Sequence, residues 1–195
     1  MSQEIEIEVK SLVNEKAFYD LLSMLQLSME DASTQRNHYF ETQHFHLKEK
    51  KSALRIREKN NTYTFTLKQP HSEGLLETHQ KLTKSEATKA IETGYTPPGE
   101  IHNQLITLNI EPSELMFLGT LTTRRLEISY EDGLLCFDHS TYLDQEDYEL
   151  EFEGHSLSHA SDTIKSLFLQ ANVEMITTPN KVQRFFNRKQ QINRD

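Results

Sequence analysis

Cysteine is nearly absent: Cys136 is the single one in 195 residues, so no intrachain disulfide can form and a reducing compartment is the simpler expectation. Long apolar runs are missing too. No stretch approaches the length of a membrane span, and the N-terminus, acidic from its fourth residue, has no apolar segment of the signal-peptide kind. A cytoplasmic protein without membrane attachment is therefore expected. Basic charge is in deficit, with 21 Lys and Arg against 30 Asp and Glu and a formal net charge of −9. That balance disfavours duplex DNA or an anionic membrane as partner, while leaving room for a small anion in a locally basic pocket. No zinc-ligand spacing and no glycine-rich phosphate loop occurs, and among the nine histidines only His44 and His46 are close together. Hydrophobic residues make up 35% of the chain, which a polar cavity or an ordinary wet surface would explain equally well.

What the chain does have is period-two alternation. In Glu4-Ile5-Glu6-Ile7-Glu8-Val9-Lys10 a strand puts the charged side chains on one face and Ile5, Ile7 and Val9 on the other. One strand is expected over 4–12, then a helix over 15–27 capped by Asn14, with Ala17, Phe18, Leu21, Leu22 and Leu25 at helical spacing. Further strands are predicted over 34–40, 52–58, 62–68 and 75–81, with Asn60-Asn61 as a hairpin turn. A helix from Thr83 or Ser85 to about 92 stops at Gly94 and Pro97-Pro98-Gly99, the one plausible internal seam. A helix over 101–108 and a turn after Pro112 precede strands over 120–130, 134–142 and 148–153, with Asp132-Gly133 as a turn. Ser158 caps a helix to about 170, and a last helix covers 180–191. Short turn-linked strands without a βαβ rhythm favour an antiparallel sheet, and seven or eight strands charged on one face could close into a barrel with a polar lumen. The fold expected is α+β, one domain over 1–195.

Each charged row has a plain reading as a solvated strand face. Repetition argues for more. Glu149, Glu151 and Glu153 form a second carboxylate row, and two such rows facing each other would need a hard cation, whose natural ligands are carboxylate oxygens. Arg55 and Arg57 lie on one face of their strand, Lys68 lies on a threonine-rich face of the next, and Arg125 shares a face with Thr123, Glu127 and Ser129. Guanidinium and ammonium groups suit phosphate oxygens. Acidic and basic rows together describe a site for a polyphosphate with its magnesium or manganese. Asp138 ends an apolar run and Glu77 sits beside His79 on its face; either could be structural. Cys136 reads as a small buried hydrophobe rather than a nucleophile.

Together these residues resemble the CYTH superfamily of triphosphate tunnel metalloenzymes. Glu6-Ile7-Glu8-Val9-Lys10 matches its E-x-E-x-K signature, followed in order by Leu54-Arg55-Ile56-Arg57, Phe65-Thr66-Leu67-Lys68, Glu77, Thr123-Arg124-Arg125, Asp138, Glu149-Leu150-Glu151 and Lys181. The resemblance covers roughly 4–185 and looks like the single-domain bacterial branch. It implies a closed eight-stranded antiparallel barrel forming a tunnel, with helices outside. It also implies hydrolysis of inorganic triphosphate, thiamine triphosphate or a nucleoside triphosphate, or cyclisation of ATP. Carried over, Arg55, Arg57, Lys68, Arg125 and Lys181 would bind the triphosphate. Glu149 and Glu151, with Asp138, would hold Mg²⁺ or Mn²⁺, Glu77 would be a further tunnel acid, and Glu6, Glu8 and Lys10 would orient phosphates and activate water. Two departures stand out: Lys50-Lys51-Ser52 where many relatives have a glycine, and Asn180 where a serine is common.

A metal-dependent triphosphatase is the favoured reading. An adenylate cyclase is the alternative, although the histidine-phenylalanine motif of cyclase-type relatives is absent from the start of this chain. A phosphometabolite- or polyphosphate-binding protein without turnover is a third, because binding and catalysis draw on the same charges. Tyr39, Phe40 and Tyr142 are candidates to touch an organic moiety, and the oligomeric state is open between monomer and homodimer.

Overall fold

The computed structural model describes residues 2–192. Its strands are β1 (Ser2–Glu6), β2 (Glu8–Val13), β3 (Ser33–Thr42), β4 (Ala53–Lys59), β5 (Thr62–Pro70), β6 (Leu75–Leu82), β7 (Leu115–Tyr130), β8 (Gly133–Tyr142) and β9 (Gln145–Glu153). Its helices are α1 (Glu15–Met24), α2 (His46–Glu49), α3 (Lys84–Thr93), α4 (Glu100–Thr107), α5 (Leu157–Gln170) and α6 (Lys181–Ile192). None is long and apolar enough to cross a membrane.

The strands form one nine-stranded antiparallel sheet in the order β1-β6-β5-β4-β3-β7-β8-β9-β2. This corrects the closed eight-stranded barrel: the order is open, with β1 and β2 as its two edges. The reason lies at Ile7, where the single strand expected over 4–12 breaks. Up to Glu6 the chain pairs with β6, ending at Glu6↔Leu75, and from Glu8 it pairs with β9, beginning at Glu8↔Glu153. Between them the Ile7 carbonyl accepts from the Gly154 N–H at 3.0 Å. A change of partner at one residue turns one strand into two.

The chain divides into two compact units, Met1–Glu6 with Gln35–Leu121, and Ile7–Thr34 with Thr122–Asp195. The seam expected near residue 97 lies inside the first. In that unit Leu54, Ile56, Phe65 and Leu67 leave the sheet on one side and bury against Ala87 and Ala90 of α3 and Ile101 and Leu105 of α4. Each large side chain so buried contributes about 1.5–3 kcal/mol. Alternation then dictates that Arg55, Arg57, Thr66 and Lys68 point to the opposite face. The α3 helix opens with a reciprocal cap: Thr83 Oγ1 accepts from the Glu86 N–H at 3.2 Å, and Glu86 Oε2 accepts from the Thr83 N–H at 2.8 Å. Asn60 and Asn61, at φ of 51° and 59°, make the predicted two-residue turn. Lys51 sits at φ 52°, a left-handed conformation that costs a side chain about 1–2 kcal/mol.

In the second unit Phe18, Leu21 and Leu22 of α1 and Ile164, Leu167 and Phe168 of α5 pack on Leu126, Leu135, Phe137, Leu150 and Phe152. The α5 cap is Ser156, whose Oγ accepts from the His159 N–H at 3.2 Å, two residues before the expected Ser158. The β7–β8 turn also comes one residue earlier than predicted, with Glu131 and Asp132 at φ of 43° and 56°. Gly133 instead opens β8, where a Cβ would lie 2.4 Å from the Glu153 carbonyl oxygen and only glycine fits. The 3₁₀ turn Pro112–Glu114 matches the turn expected after Pro112.

Candidate functional site

Strand register gathers five charged side chains of the second unit onto one face. Arg125 of β7 lies opposite Asp138 of β8, Asp138 opposite Glu149 of β9, and Glu151 opposite Lys10 of β2. Asp138 and Glu149 are fully buried and Glu151 nearly so. The first residue of α6 enters this group. Lys181 Nζ lies 2.8 Å from Asp138 Oδ2 and 2.5 Å from Glu151 Oε1, and also pairs with Glu149 Oε1. Arg125 donates from Nε to Asp138 Oδ1 at 2.6 Å, and its Nη2 reaches both Asp138 and Glu151. Lys10 pairs with Glu8 and stands 3.9 Å from Glu151 Oε1.

Burial alone would push all these carboxyls up, so the cations decide each state. Arg125 and Lys181 overcome burial at Asp138, and Lys181, Arg125 and Lys10 do so at Glu151, whose carboxyl is held well below the usual range. Glu149 is the exception: burial, with Glu151 beside it, raises it to about 7 despite Lys181. Lys10 and Lys181 stay charged, burial being outweighed by Glu8 and Glu151 at the first and by Asp138, Glu151 and Glu149 at the second. Burial carries Cys136, with its side chain among these acids, up to about 12, which removes it as a nucleophile.

The donor set fits a hard divalent cation. One oxygen from each of Asp138, Glu149 and Glu151 lies within 4.8 Å of the others, all three residues are buried, and the Lys181 ammonium stands where the three converge. Glu149 Oε2 meets the Arg184 guanidinium, its Nη1 at 2.6 Å, so each oxygen of this carboxylate faces a cation.

A second charged group belongs to the first unit. Across β5, β6 and β1 the register aligns Lys68, Glu77 and Glu4. Lys68 pairs with both Glu6 and Glu77. Burial would raise Glu77, but Lys68 and Arg55 bring its carboxyl down to about 2. Arg57 donates from Nε to Asn37 Oδ1 at 3.1 Å. The signature is thus shared out, with Glu6 in the first unit and Glu8 and Lys10 in the second.

Sequence reasoning missed Arg184. From α6 it donates to Asp147 Oδ2 at 2.8 Å while its Nη1 meets Glu149, and Arg188 donates to Asp144 Oδ1 at 2.7 Å. Lys181, Arg184 and Arg188 recur at three and four residues, a basic helical stripe that could have exposed them. Asn180 caps α6, its Oδ1 accepting from the Gln183 N–H at 2.8 Å. Also missed was Glu41, buried, whose Oε1 accepts from Leu47 N–H and Oε2 from Lys48 N–H, both at 3.0 Å; it anchors α2. Of the aromatic candidates, Phe40 belongs to the apolar core and Tyr142 donates to Asp147 Oδ2 at 2.8 Å, whereas Tyr39 lies opposite Arg55.

Comparison with known proteins bears on these groups. The CYTH domain family matches residues 4–186. A candidate triphosphatase of Bacillus subtilis strain 168, YjbK, is 42% identical over 97% of this chain and 98% of its own length. A solved candidate adenylate cyclase of Bacillus halodurans is 53% identical, with a TM-score of 0.92 over 95% of this chain and all of that one. A Hippeastrum protein, described as a candidate adenylyl cyclase with a dominant triphosphatase activity, shares the fold at 21% identity and a TM-score of 0.78, covering 94% of this chain and 96% of its own.

Proposed function

The chain belongs to the CYTH domain family, and from that premise we propose that it is a divalent-metal-dependent triphosphatase acting on inorganic triphosphate, thiamine triphosphate or a nucleoside triphosphate. The observation that carries this reading is the convergence of Asp138, Glu149 and Glu151, buried and within 4.8 Å, on a single ammonium. Three such acids are the place for Mg²⁺ or Mn²⁺, which supplies charge neutralisation at phosphate oxygens.

The chain's own residues then have these roles. Arg55, Arg57, Lys68, Arg125 and Lys181 supply the guanidinium and ammonium groups that suit phosphate oxygens and offset the charge of a transferring group. Glu6 and Glu8, each already engaged by a lysine, position the attacking water and take its proton, and Lys10 orients the phosphates beside Glu8. Glu77 holds Lys68 in place. The chain acts as one domain in the cytoplasm on a small molecule, without nucleic acid, in keeping with its net charge of −9 and its one buried thiol.

The test is phosphate release from tripolyphosphate, thiamine triphosphate and ATP with Mg²⁺ or Mn²⁺. Turnover that disappears in Glu149→Gln and Glu151→Gln supports the proposal. Cyclic AMP as the main product from ATP would make the protein a cyclase. Tight calorimetric binding with no turnover of any of the three would make it a binding protein.

A further inference from the structure

Outside the three acids of the second unit lies a group with different donor chemistry. On β6, Glu77 and His79 are two residues apart and share a face, and β1 places Glu4 directly opposite Glu77. One ligand atom from each of Glu4, Glu77 and His79 lies within 4.8 Å of the others. We propose that these three residues form a separate cation site, selective for an ion of the Zn²⁺ kind over Mg²⁺.

Distances argue for this first. His79 Nε2 stands 3.0 Å from Glu4 Oε1 and 3.3 Å from Glu77 Oε2. Two atoms each about 2.1 Å from a tetrahedral zinc are separated by roughly 3.4 Å, so small side-chain shifts convert the present contacts into ligation. The imidazole is also oriented from behind. Its Nδ1 lies 2.9 Å from Thr66 Oγ1, and Thr66 is only 2% exposed, so that hydroxyl can accept the Nδ1 proton and leave the Nε2 lone pair aimed at the carboxylates.

The donors set the selectivity. An imidazole nitrogen suits zinc, whereas magnesium and manganese prefer oxygen ligands, as at Asp138, Glu149 and Glu151. Exposure supplies a route for the ion: Glu77 is 4% exposed and forms the floor, while the Glu4 side chain is 66% exposed and lies at the rim. Charge is compatible as well. Glu4, Glu6 and Glu77 carry three negative charges beside Lys68 and Arg55, and Lys68 remains with Glu6 when Glu77 turns to an ion.

Binding is read without any turnover, so the result stands apart from the triphosphatase proposal. Crystals soaked in ZnCl₂ are measured at the zinc edge, and Zn²⁺ and Mg²⁺ are titrated calorimetrically into the full chain. An anomalous peak within bonding distance of His79 Nε2 is expected, together with Zn²⁺ binding that survives in Glu149→Gln/Glu151→Gln. His79→Gln should weaken this Zn²⁺ binding at least tenfold and leave Mg²⁺ binding unchanged. Thr66→Val, which keeps every ligand, should weaken it about 10- to 100-fold and decides the matter should His79→Gln fold poorly. Zinc found only at other histidines, such as His44 and His46, or undiminished affinity in both variants, overturns the proposal.

Discussion

Replacing Lys181 with methionine keeps an unbranched stem as far as the ε position but removes the ammonium from three buried carboxylates. Its Nζ is 2.8 Å from Asp138 and 2.5 Å from Glu151, and it also pairs with Glu149. Breaking a buried ion pair from one side costs about 3–5 kcal/mol, because the remaining charge is left without compensation. Here Arg125 still serves Asp138 and Glu151, and Arg184 still serves Glu149, so the low end applies, about 3 kcal/mol. In a chain of this size each kcal/mol lowers Tm by about 2–4 °C, so a fall of roughly 6–12 °C is expected at pH 8 with chelator present. The loss should depend on pH in a definite direction. Glu149, raised to about 7 from an ordinary 4.5, binds its proton more tightly folded than unfolded, so stability falls as pH rises through that interval and levels off above it. Without Lys181 the carboxyl rises further, and the deficit at pH 6 must be smaller than at pH 8. Millimolar Mg²⁺ should restore part of the loss by replacing the missing charge. Equal deficits at pH 6 and pH 8 with no recovery in Mg²⁺ would refute an electrostatic origin.

Arg184→Leu should destabilise the protein by about 2–4 kcal/mol in chemical denaturation, since Asp147 and the buried Glu149 both lose a partner. For Glu77, held at about 2 against an ordinary 4.5, the stabilisation is present above pH 4.5 and lost as pH falls toward 2; Glu77→Gln should flatten acid unfolding across that interval in a circular-dichroism titration. Gly133→Ala should lower Tm through a cost of about 1–3 kcal/mol, the added Cβ meeting the Glu153 carbonyl oxygen at 2.4 Å; an unchanged Tm would mean that the backbone yields there.

Much of the site was legible because strand alternation is a local property. Once Leu54 and Ile56 face the core, Arg55 and Arg57 must face the other way, and the same holds for Leu150 and Phe152 against Glu149 and Glu151. The cap at Asn14, the cap of α3 narrowed to Thr83 or Ser85, and the turn at Asn60-Asn61 were readable for the same reason: each depends on residues next to one another. The β7–β8 turn was misplaced by one residue because the demand for glycine at Gly133 comes from Glu153 across the sheet.

By itself, then, the sequence determined which residues are charged, which face of each strand they share, and which family pattern they follow. Tertiary structure alone decided strand count and partners. Pairing energy is collected between segments far apart in the chain, so nothing near Ile7 in sequence announces that β1 will pair with β6 and β2 with β9. It also decided which charges meet. That Lys181 and Arg184 reach Glu149 from α6, and that Thr66 orients His79 beside Glu77, depends on packing across 32, 35 and 13 residues of separation, beyond the reach of any local rule.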